Sequence, residues 1–179
     1  MNVRPARPAG DQERARLEEF NCLPGEAARR ALTGCCSSAR WVSAVMASRP
    51  YASVAGLLRR SDEAVTGLAP GDLRDALSGH PRIGERRDDG ADRWSRAEQA
   101  GVAGAARPTM QALADGNVAY ERRFGHIYLV CATGRTAPEL LALLTARLEN
   151  DPDTEWGVVR SELQKINRIR LRKLLGGAG

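Results

Sequence analysis

Asp153-Thr-Glu-Trp156-Gly-Val-Val159-Arg-Ser-Glu-Leu163-Gln-Lys-Ile166 is the stretch that decides the fold. Trp156, Val159, Leu163 and Ile166 recur every three or four residues, the spacing of one apolar face of an α-helix. The segment therefore predicts an amphipathic helix from about Asp153, ended by Gly176-Gly177. Just upstream, Thr136-Ala137-Pro138-Glu139 has the form of a helix start: a cap, a proline near the first turn and a glutamate at the third position. That helix is expected to run to Leu148, with Asn150 near its end.

The same grammar extends towards the N-terminus. A long helix is predicted from about Met110 to Arg123, carrying Leu113, Val118 and Tyr120 and ended by Phe124-Gly125. Ile127 to Val130 is β-prone and apolar, and predicts a short extended segment without a sheet. Pro70-Gly71-Asp72 breaks the chain, and Asp72 is placed to cap a helix from Leu73 to Ser78. Ser53 can cap a helix through Val54, Leu57 and Leu58, with another short helix from Ser61 to Leu68. Ser37 or Ser38 can cap one through Trp41, Val45 and Met46. Earlier helices are expected over Glu13 to Phe20 and Glu26 to Cys36, separated by Leu23-Pro24-Gly25. Residues 1–11 carry two prolines and no periodicity, and predict a loose tail before a helical domain over 12–177. About eight helices with short connections and no repeats predict an all-α, single-domain bundle.

Composition agrees and narrows the function classes. With 42% hydrophobic but only 4% aromatic residues, the core must be mostly Leu, Ala and Val. No apolar run approaches the ~18 residues of a membrane span, and the N-terminus lacks an apolar signal region, which predicts a cytoplasmic protein. The net charge of +5 invites a nucleic-acid reading. Basic and acidic residues are interleaved, however, as in Arg86-Arg87-Asp88-Asp89, and only Arg168, Arg170, Arg172 and Lys173 cluster. No nucleic-acid-binding signature is present, whereas a positive surface also draws in small anions. Cys22, Cys35, Cys36 and Cys131 have neither CxxC spacing nor a nearby histidine, so neither a metal site nor a disulfide framework is expected. They read as buried small apolar residues, with Cys35 and Cys36 pointing to different sides of a helix.

Chemistry concentrates in His80-Pro81-Arg82-Ile83-Gly84-Glu85. Proline biases His80 away from helix, so the imidazole should sit on a turn at a helix C-terminus, where the dipole favours imidazolium and an acid role. A helix-ending His-Pro turn without chemistry is the plain alternative. Ser95-Arg96-Ala97-Glu98-Gln99 lies one loop downstream and offers a carboxylate, although Ser95-x-x-Glu98 is also the form of a capping box.

These segments, in order, resemble the 2-oxo-4-hydroxy-4-carboxy-5-ureidoimidazoline (OHCU) decarboxylase family. The matching residues are Leu23-Pro24 with Ala27, Cys35-Cys36-Ser37, Arg40-Trp41, Arg49-Pro50, His80-Pro81-Arg82-Ile83-Gly84 and Trp94 through Gln99. Asn117-x-x-Tyr120-x-x-Arg123-Phe124-Gly125, Arg147-Leu148-x-Asn150-Asp151 and Lys165-Ile166-x-x-x-Arg170-Leu171 complete the set. The resemblance implies an all-α homodimer that needs no cofactor and no metal, and that decarboxylates a small anionic ureidoimidazoline to (S)-allantoin in urate degradation. It assigns catalysis to His80 and Glu98. Substrate binding falls to Pro81, Ser95, Arg96, Ala97, Gln99, Phe124, Gly125, His126, Ile127, Tyr128 and Arg170. Many members read Phe-Gly-Phe-Pro-Phe where this chain has Phe124-Gly125-His126-Ile127-Tyr128, and His126 reads as a loop residue, not a second base.

The residue types suit that reaction. The substrate's own ring can accept the electrons released with carbon dioxide, so no pyridoxal, thiamine or metal sink is required. His80 with Glu98 can manage protons, and Glu98 can raise the imidazole's pKa if the two touch. Arg170 offers a planar fork to a carboxylate or carbonyl. Ser95 and Gln99 can pair with ureido and ring amides, and backbone amides around Gly125 can hold an oxyanion. The competing class is a basic helical domain that binds nucleic acid or protein without catalysis.

Overall fold

The computed structural model describes residues 9–83, 100 and 105–176. Eight α-helices cross these residues: α1 (Ala9–Cys22), α2 (Gly25–Cys35), α3 (Ala39–Met46), α4 (Val54–Thr66), α5 (Pro70–Ser78), α6 (Arg107–Phe124), α7 (Ala137–Arg147) and α8 (Pro152–Leu174). No strand occurs among the described residues. The all-α bundle is therefore as the periodicity predicts.

The helix ends follow the capping chemistry in most places. Ser38 and Ser53 accept backbone N–H groups from Trp41 and Gly56 at 3.3 and 3.1 Å. Glu139 accepts from the Thr136 N–H and hydroxyl at 2.7 and 2.8 Å. Asp151 holds the first turn of α8 through the N–H groups of Asp153 and Thr154, both at 3.0 Å. Gly125 and Gly176 close α6 and α8 with φ of 72° and 73°, a left-handed conformation that glycine adopts without strain.

Four boundaries differ from the pattern-based expectation. Helix α1 already begins at Ala9, inside the segment expected as a tail. The two short helices expected over residues 53–68 are one continuous α4. Ser61 does not break it, because that residue is fully buried and its carbonyl accepts the Trp41 indole N–H at 3.2 Å. Helix α5 starts at Pro70, and Asp72 supports it from the third position by accepting the Ala69 N–H at 3.3 Å. Cys36 lies in the extended residue after α2 rather than inside a helix, so it and Cys35 are both buried through a change of backbone direction. Cys22, expected inside, is exposed, while Cys131 is buried.

Two hydrophobic cores result among the described residues. The larger gathers α1 to α5 and α8 around Trp41, Leu32, Leu57, Leu73 and Leu163. The smaller joins α6 and α7 through Leu113, Tyr120, Leu140 and Leu144. Gly116 lets these two helices approach closely: a Cβ there would lie 2.5 Å from Leu144 Cδ2. The extended segment expected at Ile127–Val130 runs between the cores and alternates between them. Leu129 and Cys131 join the larger core, and Tyr128, Val130 and Ala132 join the smaller. A lone extended segment has no sheet to satisfy its backbone. Here buried side chains take that part: the Cys131 N–H donates to Glu162 at 2.8 Å, and Arg147 donates to the Leu129 carbonyl at 2.7 Å.

Candidate active site

His80 stands at the end of α5, where Gly79 caps the helix. Gly79 packs against Ser37 of the Cys35-Cys36-Ser37 motif so closely that a Cβ would sit 1.8 Å from the Ser37 hydroxyl. The imidazole is 7% exposed, and its Nδ1 lies 3.0 Å from the Ala76 carbonyl. A carbonyl only accepts, so this contact selects the tautomer with the proton on Nδ1 and leaves the lone pair on Nε2. Nε2 is buried without a hydrogen-bond partner among the described residues.

This environment overturns the expectation of a helix-end imidazolium. Burial, with the Arg170 cation acting in the same direction, pushes the His80 pKa down to about 3 against the smaller opposing effect of the Ala76 carbonyl. The field of one short helix is too weak to offset removal of the charged ring from water. At neutral pH His80 is thus an uncharged base.

The loop that carries His80 is pinned to α6. Arg82 forks onto Glu121 at 2.5 and 2.9 Å, which lowers the Glu121 pKa. One turn earlier on the same face, Asn117 donates to the Ile83 carbonyl at 3.4 Å and to the Leu113 carbonyl at 2.9 Å. The His80-Pro81-Arg82-Ile83 and Asn117-x-x-Tyr120 motifs therefore meet in space.

His80 and Pro81 form a wall between two cavities. The narrow one, with about 20 Å³ of free space, is bordered by Tyr128, Ile166 and Arg170. That is room for about one water. The wide one, about 300 Å³, is bordered by Arg74, Leu77, Ser78, Arg82, Gly125, His126 and Ile127. It reaches the lower end of the range for small-molecule sites. A larger hollow of about 530 Å³ lies beyond Arg82 against Met110, Ala114 and Val118, but His80 does not border it.

Of the expected site residues, Gly125, His126 and Ile127 join His80 and Pro81 at the wide cavity, while Tyr128 and Arg170 join them at the narrow one. Arg170 is 4% exposed and donates to the Cys35 carbonyl at 3.2 Å. Phe124 borders neither cavity and packs on Tyr120 with ring centroids 4.6 Å apart. Ser95, Arg96, Ala97, Glu98 and Gln99 lie outside the described residues. Arg74, Leu77 and Ser78 were missed by motif reading. Their i, i+3, i+4 spacing on the helix leading to His80 is the signal that marks them.

The departure at His126 has a structural account. Its ring stacks on Trp156 at 4.2 Å and meets Tyr120 edge-on at 5.5 Å, as a phenyl ring would. Nδ1 lies 3.0 Å from the Ile127 carbonyl, and burial lowers its pKa. Behind it lies a second buried polar cluster. Glu155, with no exposed surface, takes the Arg147 Nε–H at 2.9 Å, the Arg147 terminal nitrogen, the Tyr120 hydroxyl and the Asn150 amide at 2.7 Å. Arg123 ties the same corner by donating to the Asn150 carbonyl at 3.0 Å. The Arg147-Leu148-x-Asn150-Asp151 motif is thus the fastening of α6, α7 and α8. Among the described residues no three His, Cys, Asp or Glu side chains converge as metal ligands.

A helical bundle that buries a neutral imidazole beside an arginine, at the edge of a small cavity, is the architecture in hand. The chain belongs to the OHCU decarboxylase family, whose model matches residues 21–172. It is similar to the Arabidopsis thaliana "Uric acid degradation bifunctional protein TTL", at 32% identity over 78% of this chain and 45% of the relative. It is also similar to the Bacillus subtilis "Uric acid degradation bifunctional protein PucL", at 23% identity over 91% of this chain and 33% of the relative. The chain spans less than half the length of these curated relatives. Among solved structures it resembles an OHCU decarboxylase crystallised in the presence of (S)-allantoin. That likeness has a TM-score of 0.71 and 28% identity, over 80% of this chain and 96% of the other.

Proposed function

We propose that this chain decarboxylates 2-oxo-4-hydroxy-4-carboxy-5-ureidoimidazoline to (S)-allantoin in urate degradation, without a cofactor. The observation that carries the proposal is His80, a residue of a cavity wall whose buried, unprotonated Nε2 has no partner among the described residues, in a chain of this family.

The chemistry follows from that state. The bond between C4 and its carboxylate breaks, and its electron pair forms a C4–C5 double bond. The ring C=N next to it takes up the displaced pair and a proton. The resulting enol passes its hydroxyl proton to a base and receives one at C5 on a single face, which sets the (S) centre. Overall, one proton replaces carbon dioxide. His80 Nε2 has the lone pair to take the hydroxyl proton, and an anionic substrate beside it would stabilise the imidazolium so formed. Arg170, fixed close by, can stabilise the charge that develops on the ring. Glu98 is proposed as the partner of His80, with Ser95, Arg96, Ala97 and Gln99 binding substrate alongside Pro81 and the 124–128 segment. Support for those five residues is the family resemblance alone. The same holds for a homodimer acting in the cytoplasm.

The nucleic-acid alternative gains nothing from the C-terminal cluster. Arg168 pairs with Asp62, and Arg172 lies 3.3 Å from Glu13. The deciding experiment generates the ureidoimidazoline in situ and follows allantoin stereochemistry with and without the protein. An excess of (S)-allantoin is expected; racemic product at the spontaneous rate would refute the activity. Glu98→Gln should cut turnover by roughly one to two decades with little change in Tm, since a charge-assisted contact is typically worth about 1.5–3 kcal/mol. Unchanged turnover would return Glu98 to a helix cap.

A further inference from the structure

Arg74 stands at the wide cavity on the same face of α5 as Leu77 and Ser78, one helix end away from His80. Its guanidinium lies over the Trp156 ring at 5.8 Å from the centroid, within the range of a cation–π contact. Trp156 in turn stacks on His126, whose own ring is held by Tyr120 and the Ile127 carbonyl. Four elements thus build a layered platform that ends in an arginine at the cavity rim.

Among the described residues, three arginines around His80 differ in what they have left to offer. Arg82 is committed to Glu121 through both arms of its fork. Arg170 is buried on the narrow side and donates to Cys35. Arg74 is exposed and has no carboxylate partner among the described residues, and its neighbour Asp72 lies near Arg40 instead, at 3.8 Å. A guanidinium held over a ring by a cation–π contact still has N–H groups available to a carboxylate.

We propose that Arg74 is a substrate-binding residue that captures the carboxylate of the anionic substrate at the cavity rim. This role rests on the decarboxylation proposed above. Charge leaves the carboxylate as carbon dioxide forms and moves to the ring. A cation at the rim therefore stabilises the bound substrate more than the transition state. Arg74 then lowers KM and leaves kcat nearly untouched.

The test uses the whole chain and two kinds of measurement. In the in situ assay, Arg74→Ala should raise KM about tenfold with kcat within twofold of wild type, and Arg74→Lys should recover part of the loss. Raising ionic strength should raise the wild-type KM and leave the Arg74→Ala KM flat, because an exposed ion pair is screened. Separately, calorimetry compares hydantoin-5-acetate, which carries a carboxylate, with neutral (S)-allantoin. Arg74→Ala should weaken only the former, by about tenfold. An unchanged KM, a fall in kcat in its place, or an equal loss for both probes would overturn the assignment. Absence of wild-type turnover would refute the decarboxylase activity, while the two binding probes would still decide for or against Arg74.

Discussion

Glu155 and His80 are buried to nearly the same depth, at 0% and 7% exposed, and are furnished in opposite ways. Glu155 has its carboxylate filled by Tyr120, Arg147 and Asn150. Burial, reinforced by that carboxylate, drives the Tyr120 phenol pKa upwards, so the phenol keeps its proton across the physiological range. His80, on a cavity wall, has one nitrogen tied to Ala76 and the other without a partner among the described residues. A saturated cluster fastens helices; an unsaturated one is available to a substrate. Lack of a partner is not sufficient by itself, since the Ser61 hydroxyl is also buried without one among the described residues. What His80 adds is its place on a cavity wall.

The largest effect should come from removing the open nitrogen. His80→Asn is expected to lower turnover by about two to four decades, the usual worth of general acid–base catalysis, while the Tm stays close to wild type. Wild-type turnover in a folded His80→Asn protein would erase the distinction between the two clusters. Breaking the saturated cluster should do the reverse. Arg147→Met leaves Glu155 buried without its cation and should cost about 3–5 kcal/mol, a fall in Tm of roughly 6–20 °C for a chain of this size. Adding Glu155→Leu to Arg147→Met should recover much of that loss. Calorimetric melting of the single and double variants checks both statements, and a worse double variant would contradict them.

The pH dependence of stability sharpens the comparison further. A histidine whose folded pKa is depressed to about 3 contributes stability that is complete above its unfolded value near 6.5 and is lost as pH falls from there towards 3. Between those limits the unfolded chain binds a proton that the folded one refuses, at about 1.4 kcal/mol per pH unit. Denaturant unfolding at pH 6.5 and pH 4.5 should therefore show a larger acid loss for wild type than for His80→Asn. Equal losses would mean that the imidazole is not buried as an uncharged group. Glu121, Glu139, Asp151 and His126 also have lowered pKa values and destabilise on the acid side, but they do so in both proteins.

The smallest effect tests the frame that both clusters share. Gly116→Ala places a Cβ against Leu144 where α6 crosses α7. Overpacking costs typically ~1–3 kcal/mol, and the better helix propensity of alanine returns about 1 kcal/mol. A net loss of about 0–2 kcal/mol is expected in urea unfolding, and clear stabilisation would show that the two helices are not in close contact.

The amino-acid order made the helices legible, because periodicity and capping are local: the stripe of Trp156, Val159, Leu163 and Ile166, the Thr136–Glu139 cap and the Gly125 stop all stand where the pattern places them. It also singled out His80, His126 and Arg170 through ordered motifs. It misjudged Ser61 and the start of α5, where long-range packing and a third-position carboxylate override local signals. Long-range packing settled which motif residues border a cavity and which fasten helices. It set Asn117 and Glu121 to holding the His80 loop, and Arg147 and Asn150 to Glu155. It also decided the charge of His80. A helix-end position favours imidazolium, but desolvation and the Arg170 cation come from chain segments far apart in sequence, and together they are the stronger effect.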